Sequence, residues 1–143
     1  MLAGIDPLLT GELLAGLDAM GHSDGVCLAD AHFPADRLAQ RLLVFPGIST
    51  PSLLRAICTV LPLDDAPALD LMTSADGSVL PVQQDLMSAS GVNRDAVQFL
   101  DRQEFYEVAR SSYVIIRTGE TRKYGNVIVR KGVVSDPPPT GRG

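Results

Sequence analysis

Residues 10–30 read TGELLAGLDAMGHSDGVCLAD, two patterns joined by a single turn. Leu13, Leu14, Leu17 and Met20 recur at helical spacing behind Thr10, whose hydroxyl suits an N-cap, and Gly21 stands where a C′ glycine would end the helix. Val26-Cys27-Leu28-Ala29 then forms a short apolar run without alternation, halted by Asp30, as expected of a strand buried on both faces. An amphipathic helix followed at once by a two-sided strand is the unit of a layered α/β fold.

The alternation continues downstream. Leu42 to Phe45 reads as a strand, and Thr50 with Pro51 as N-cap and first helical residue ahead of Leu53, Leu54, Ile57 and Val60, with Pro62 closing that helix. Ala68 to Met72 suggests a third strand, Pro81 to Ser88 a weaker helix, and Ala96 to Leu100 another extended segment. Asp101 with Glu104 three residues on resembles a capping box for a helix through Arg110. Tyr113 to Ile116 and Val127 to Val129 are β-branched strands. Together these predict an α/β three-layer sandwich with a mostly parallel central sheet, Rossmann-like in layout. Ligands in such folds favour the crevice beyond the carboxyl ends of the strands.

Composition narrows the function. The 143 residues suit one domain, expected over residues 1–135, with the Pro/Gly-rich stretch 136–143 as a flexible tail. No apolar run approaches the roughly 20 residues of a bilayer span, and Met1 to Thr10 lacks the basic start and apolar stretch of a secretory signal. No membrane association is expected, and a cytoplasmic place is. The net charge of −5, with its basic residues scattered, offers no footprint for nucleic acid. The two cysteines, Cys27 and Cys58, sit in apolar segments as reduced core thiols would.

Polar chemistry concentrates at two places. His22 and Asp24 precede the first strand, while Asp30 and His32 follow it. A histidine beside a helix terminus is often a simple dipole contact. Two imidazoles with two carboxylates in so short a span favour a site, because histidine exchanges protons near neutrality. Asp30, at a strand end, can accept hydrogen bonds from hydroxyls. Farther on, Arg117-Thr118-Gly119-Glu120 precedes Lys123-Tyr124-Gly125-Asn126. A polar connection between two strands accounts for the turn, but it leaves unexplained a phenol and an amide flanking Gly125, an arrangement that can hydrogen-bond a polyol at close approach.

The segments GHSD at 21–24, DAHFP at 30–34, and RTGE with YGN at 117–120 and 124–126 resemble the joint family of L-fucose mutarotases and D-ribose pyranases. The resemblance runs from about Leu8 to Val134, although Gly47 to Ser90 carries no motif that aligns. It implies an isomerase, a sugar mutarotase of the L-fucose type, that interconverts the α and β anomers of a free monosaccharide. It also implies His22 and Tyr124 as catalytic groups, Asp30, Arg102, Tyr124, Gly125 and Asn126 as substrate-binding residues, and Asp24 and His32 as supporting ones. His32 and Phe33 favour the fucose branch. Arg102 falls where that branch has a substrate-binding arginine, its plain alternative being a solvated residue in a helix's first turn. No cofactor and no metal are required. The partner is a fucose-like monosaccharide, and the resemblance suggests a homo-oligomer, a decamer of ring-shaped pentamers.

Mutarotation opens the ring by taking the anomeric hydroxyl proton and supplying one to the ring oxygen, then closes it on the other carbonyl face. On this scheme His22 serves the ring oxygen, Asp24 orients His22, and Tyr124 or a water serves the anomeric hydroxyl. A site between subunits is expected, with His22 and Asp30 from one chain facing Tyr124 and Asn126 of the next. The competing readings are a D-ribose pyranase, a non-catalytic sugar-binding accessory protein, and a hydrolase with a metal held by His22, Asp24, Asp30 and His32.

Overall fold

The computed structural model describes residues 1–135. The expected tail, 136–143, lies outside the described residues.

The first helix, α1 (Gly11–Ala19), starts as its sequence predicts, with the Thr10 hydroxyl accepting the Leu13 N–H at 3.2 Å. Its end differs. Gly21 is not in the left-handed region; instead the Lys131 ammonium, from the far end of the chain, donates to the carbonyls of Leu17, Asp18 and Met20. A cation at a helix C-terminus does there what a C′ glycine would have done. The chain continues through β1 (Gly25–Ala29), the short α2 (Ala35–Leu38), β2 (Leu42–Phe45), α3 (Thr50–Ile57) and β3 (Leu69–Met72). It then forms α4 (Pro81–Ser90), a 3₁₀ turn (Arg94–Ala96), β4 (Val97–Leu100), α5 (Arg102–Ser111), β5 (Val114–Thr118) and β6 (Val127–Arg130). Ser49, not Thr50, caps α3, its hydroxyl accepting the Ser52 N–H, and Thr50 is buried within the helix. The Asp101 cap forms as expected, accepting the Glu104 N–H at 2.8 Å.

Six strands make one sheet in the order β2-β5-β1-β6-β3-β4. Three strand pairings are parallel and two, both made by β6, are antiparallel. The sheet is thus mostly parallel, as expected, with one reversed strand in its interior.

Side-chain alternation divides the core into two layers. Val26, Leu28, Ile116, Val127 and Val129 turn to the face covered by α1, α3 and α4, whereas Cys27, Ala29, Ile115 and Ile128 turn to the face covered by α2 and α5. The two-sided burial of β1 follows from this sandwiching. Both cysteines are free thiols, and burial pushes Cys58 up to about 11.

The reversal of β6 decides what faces the carboxyl edge. Because β5 and β6 flank β1 and run oppositely, the connection between them, residues 119–126, must cross over the end of β1. It lands directly above Asp30, where the Ala31 N–H donates to the Glu120 carbonyl at 2.8 Å.

Candidate functional site

A cleft of about 370 Å³ opens at this carboxyl edge, lined by Asp30, His32 and Phe33 after β1, Met72 ending β3, and Arg102 and Tyr106 of α5. Lys123, Tyr124 and Asn126 of the crossing loop complete it. A larger groove of about 560 Å³ runs along edge strand β2, but its polar side chains are only Thr10 and Glu12. The convergent chemistry lies in the smaller cleft.

Asp30 is its buried anchor, 3% exposed. Its Oδ1 accepts the His32 N–H at 3.0 Å, while its own N–H donates to Asn126 Oδ1 at 2.7 Å. Burial pushes the Asp30 carboxyl above its ordinary value, against the opposing pull of His32 and Phe33 N–H groups and Asn126. Asn126 accepts the Asp30 backbone N–H through its oxygen, and its amide NH₂, the end that can donate, faces the Asp30 carboxyl that it helps to lower. Tyr124 sits at φ 62°, a left-handed conformation uncommon outside glycine. Gly125 follows because a Cβ there would lie 2.8 Å from Glu120 Cγ and 3.0 Å from the Arg122 carbonyl.

His32 turns partly away, its Nε2 lying 3.2 Å from the Thr121 carbonyl to which it donates when protonated there. Arg102 is exposed at the first turn of α5, at the cleft's rim. Phe33, Tyr106 and Met72 supply an apolar wall, with Phe33 and Tyr106 packed edge to face at 5.3 Å.

Tyr106, Met72 and Lys123 were missed in the sequence, though each carried a signal. Tyr106 is one helical turn beyond Arg102 and shares its face, Met72 closes a strand, and Lys123 adjoins Tyr124.

His22 is elsewhere. It belongs to the loop before β1, at the sheet's amino edge, separated from Asp30 by a five-residue strand, roughly 17 Å of extended chain. The expected partition of His22 with Asp30 against Tyr124 with Asn126 is therefore corrected: Asp30, Arg102, Tyr124 and Asn126 share one cleft of one chain, and His22 stands apart. Its expected orienter also changes. Asp24 spends Oδ2 on the Gly21 N–H at 2.8 Å. The carboxylate beside the imidazole is Asp64, with Oδ2 3.7 Å from His22 Nε2. Asp64 is fixed by the Asp65 N–H and the Ser23 hydroxyl, and the Asp65 N–H leads the groups that hold its carboxyl below the usual range. The four residues of the metal reading fall on opposite edges of the sheet. Among the described residues, no group of three or more histidines, cysteines or carboxylates is placed to hold an ion.

Comparison with known proteins agrees with this architecture. The model of the RbsD / FucU transport protein family matches residues 3–134. The crystal structure of a fucose mutarotase from Streptococcus pneumoniae in complex with L-fucose is similar at 33% identity, covering 93% of this chain and 99% of that one, with a TM-score of 0.86. FucU from Bifidobacterium longum is similar at 33% identity over 92% of this chain and 99% of that one, with a TM-score of 0.82. Bacillus subtilis RbsD complexed with D-ribose shares the fold at 20% identity, covering 94% and 99% of the two chains, with a TM-score of 0.75.

Proposed function

The chain belongs to the RbsD / FucU transport protein family, and on that premise we propose that it is a sugar mutarotase, an isomerase that interconverts the anomers of L-fucose. The observation that carries this reading is the cleft itself, where a buried carboxylate, a phenol and an amide converge above β1 in a fold that covers 93% of its length in common with a fucose-bound mutarotase.

The reaction asks for little. A proton leaves the anomeric hydroxyl and another reaches the ring oxygen, with no redox change and no group transfer. Positioned acid-base groups typically contribute about 10² to 10⁴-fold to such steps. Asp30 accepts hydrogen bonds from sugar hydroxyls, and its raised carboxyl keeps it a better proton acceptor than an exposed aspartate. Asn126 donates through its amide, Gly125 allows close approach, and Arg102 holds a hydroxyl at the rim. Tyr124 exchanges the anomeric proton directly or through a water. The wall of Phe33, Met72 and Tyr106 suits the methyl group of a 6-deoxy sugar.

The proton for the ring oxygen is assigned to His22, which reaches the cleft only from a second copy of the chain. Asp64 rather than Asp24 then orients the imidazole. This gives the homo-oligomer a chemical purpose, whether or not it is a decamer of pentamers, and the enzyme is placed in the cytoplasm, where free sugars are consumed. No described helix is long and apolar enough to cross a membrane.

Saturation-transfer NMR between the α and β anomers of L-fucose, with D-ribose and D-galactose in parallel, tests the proposal. Catalytic protein should speed exchange of L-fucose most, and folded His22→Ala should lose about 10² to 10⁴-fold. Exchange at the buffer rate for every sugar would overturn the enzyme reading. A preference for ribose would move the protein to the pyranase activity.

A further inference from the structure

We propose that Glu120 and Arg122, neither of which lines the cleft, are positioning residues that latch Tyr124 into its working conformation and tie together the two walls of the sugar site. The proposal rests on the mutarotase reading for its kinetic arm, though not for its spectroscopic one.

A non-glycine residue at positive φ persists only where its surroundings fix it. Around Tyr124 those surroundings trace to one ion pair. Glu120 is buried at 4% exposure, and Arg122 grips it with two parallel contacts, Nε to Oε2 at 3.0 Å and NH2 to Oε1 at 3.1 Å. The Arg122 N–H adds a third, to Oε2 at 3.1 Å. The remaining guanidinium nitrogen donates to Asp85 of α4 at 2.8 Å, so the loop is fastened to the helical layer. Fork geometry of this kind fixes direction as well as distance.

From that anchor the turn is hung. The Arg122 carbonyl accepts the Gly125 N–H at 3.3 Å, and Gly125 lies so close to Glu120 Cγ that no Cβ fits between them. Tyr124 is the residue between these fixed points. The backbone of Glu120 meanwhile accepts the Ala31 N–H, and its neighbour Thr121 meets the His32 ring, so the segment that Glu120 anchors sets the Asp30 to His32 wall. Thr50 of α3 closes the ring of contacts, its hydroxyl 3.5 Å from Oε1. Glu120 thus positions Tyr124 on one side of the cleft and Asp30 on the other while standing outside its lining.

The chain contains three tyrosines, so ring ¹³C labelling gives a Tyr124 signal that Tyr124→Phe assigns. Glu120→Gln keeps the shape and removes the charge, and Arg122→Lys keeps the charge and removes the fork. Both should shift or broaden that signal, weaken L-fucose binding about tenfold in an NMR titration, and lower kcat as well, because the displaced Tyr124 exchanges the anomeric proton. In a Tyr124→Phe background, where binding is read by titration because activity is lost, the same changes should weaken L-fucose binding by a smaller factor, since residues acting through one group are not additive. An unmoved Tyr124 signal, or equal losses in both backgrounds, would overturn the latch. If either variant fails to fold, Asp85→Ala at its exposed helix position should move the same signal by less, and an unmoved signal there counts equally against it. Wild-type protein inactive on every sugar would end the mutarotase reading and leave the spectroscopic arm to decide the latch.

Discussion

Asp30 concentrates the conflict between stability and function in a single side chain. Its carboxyl is buried and raised above its unfolded value, chiefly by desolvation. Folding therefore favours its protonated form: above both values the ionised group opposes folding, and the penalty disappears as pH falls below the unfolded value, about 3.9 for aspartate. Asp30→Asn should accordingly raise the melting temperature at pH 7, with the gain vanishing near pH 3, while sugar affinity drops. Asparagine keeps an oxygen for the His32 N–H but loses the charge that grips hydroxyls. Thermal melts across pH together with L-fucose titrations check this, and a variant less stable at neutral pH would show that the carboxylate's hydrogen bonds outweigh its desolvation. The residue itself was legible in the sequence because a carboxylate at the end of an apolar run is conspicuous. The place of Asp64 was not, since the 41 residues between it and His22 give no hint that the two lie side by side.

At the scale of the element, β3 hides a charge that its apolar neighbours disguise. Asp70, in the run Leu-Asp-Leu-Met, is fully buried and pairs with Arg130 across the sheet, diagonal to its register partner Ile128 on β6. Replacing Asp70 with alanine would strand the guanidinium in the interior, and losing one partner of a buried pair typically costs about 3–5 kcal/mol. Urea unfolding should register that loss. Asp70→Leu with Arg130→Met should recover much of it, and a single Asp70→Ala costing under about 1 kcal/mol would mean that Arg130 finds solvent instead. Strands and long helices were readable from periodicity, while the one-turn α2 was too short to carry a period. The α1 terminus was misread because its cap arrives from residue 131, a contact that no local pattern encodes.

The whole molecule separates the parts of the proposed reaction. With Asp30 and Tyr124 at the carboxyl edge and His22 at the amino edge, one chain does not bring together all the groups of that proposal. An oligomer that joins the two edges should therefore lose activity on dissociation while each subunit stays folded. Inactive His22→Ala and Tyr124→Phe proteins, dissociated and reassembled together, should regain activity, because a junction presenting an intact cleft to an intact His22 is wild type in every contact. Light scattering that finds an active monomer, or mixed assemblies that stay inactive, would sink the shared site. What the sequence determined by itself was the layering and the identity of the polar residues: apolar periodicity fixes which faces are buried, and the type of each side chain fixes its chemistry. Which of those residues meet was decided only in three dimensions. The reversal of β6 carries Tyr124 and Asn126 over Asp30 and sends Arg130 and Lys131 toward His22, and strand direction depends on the pairing of segments far apart in the chain, which leaves no trace in the local pattern of any one of them.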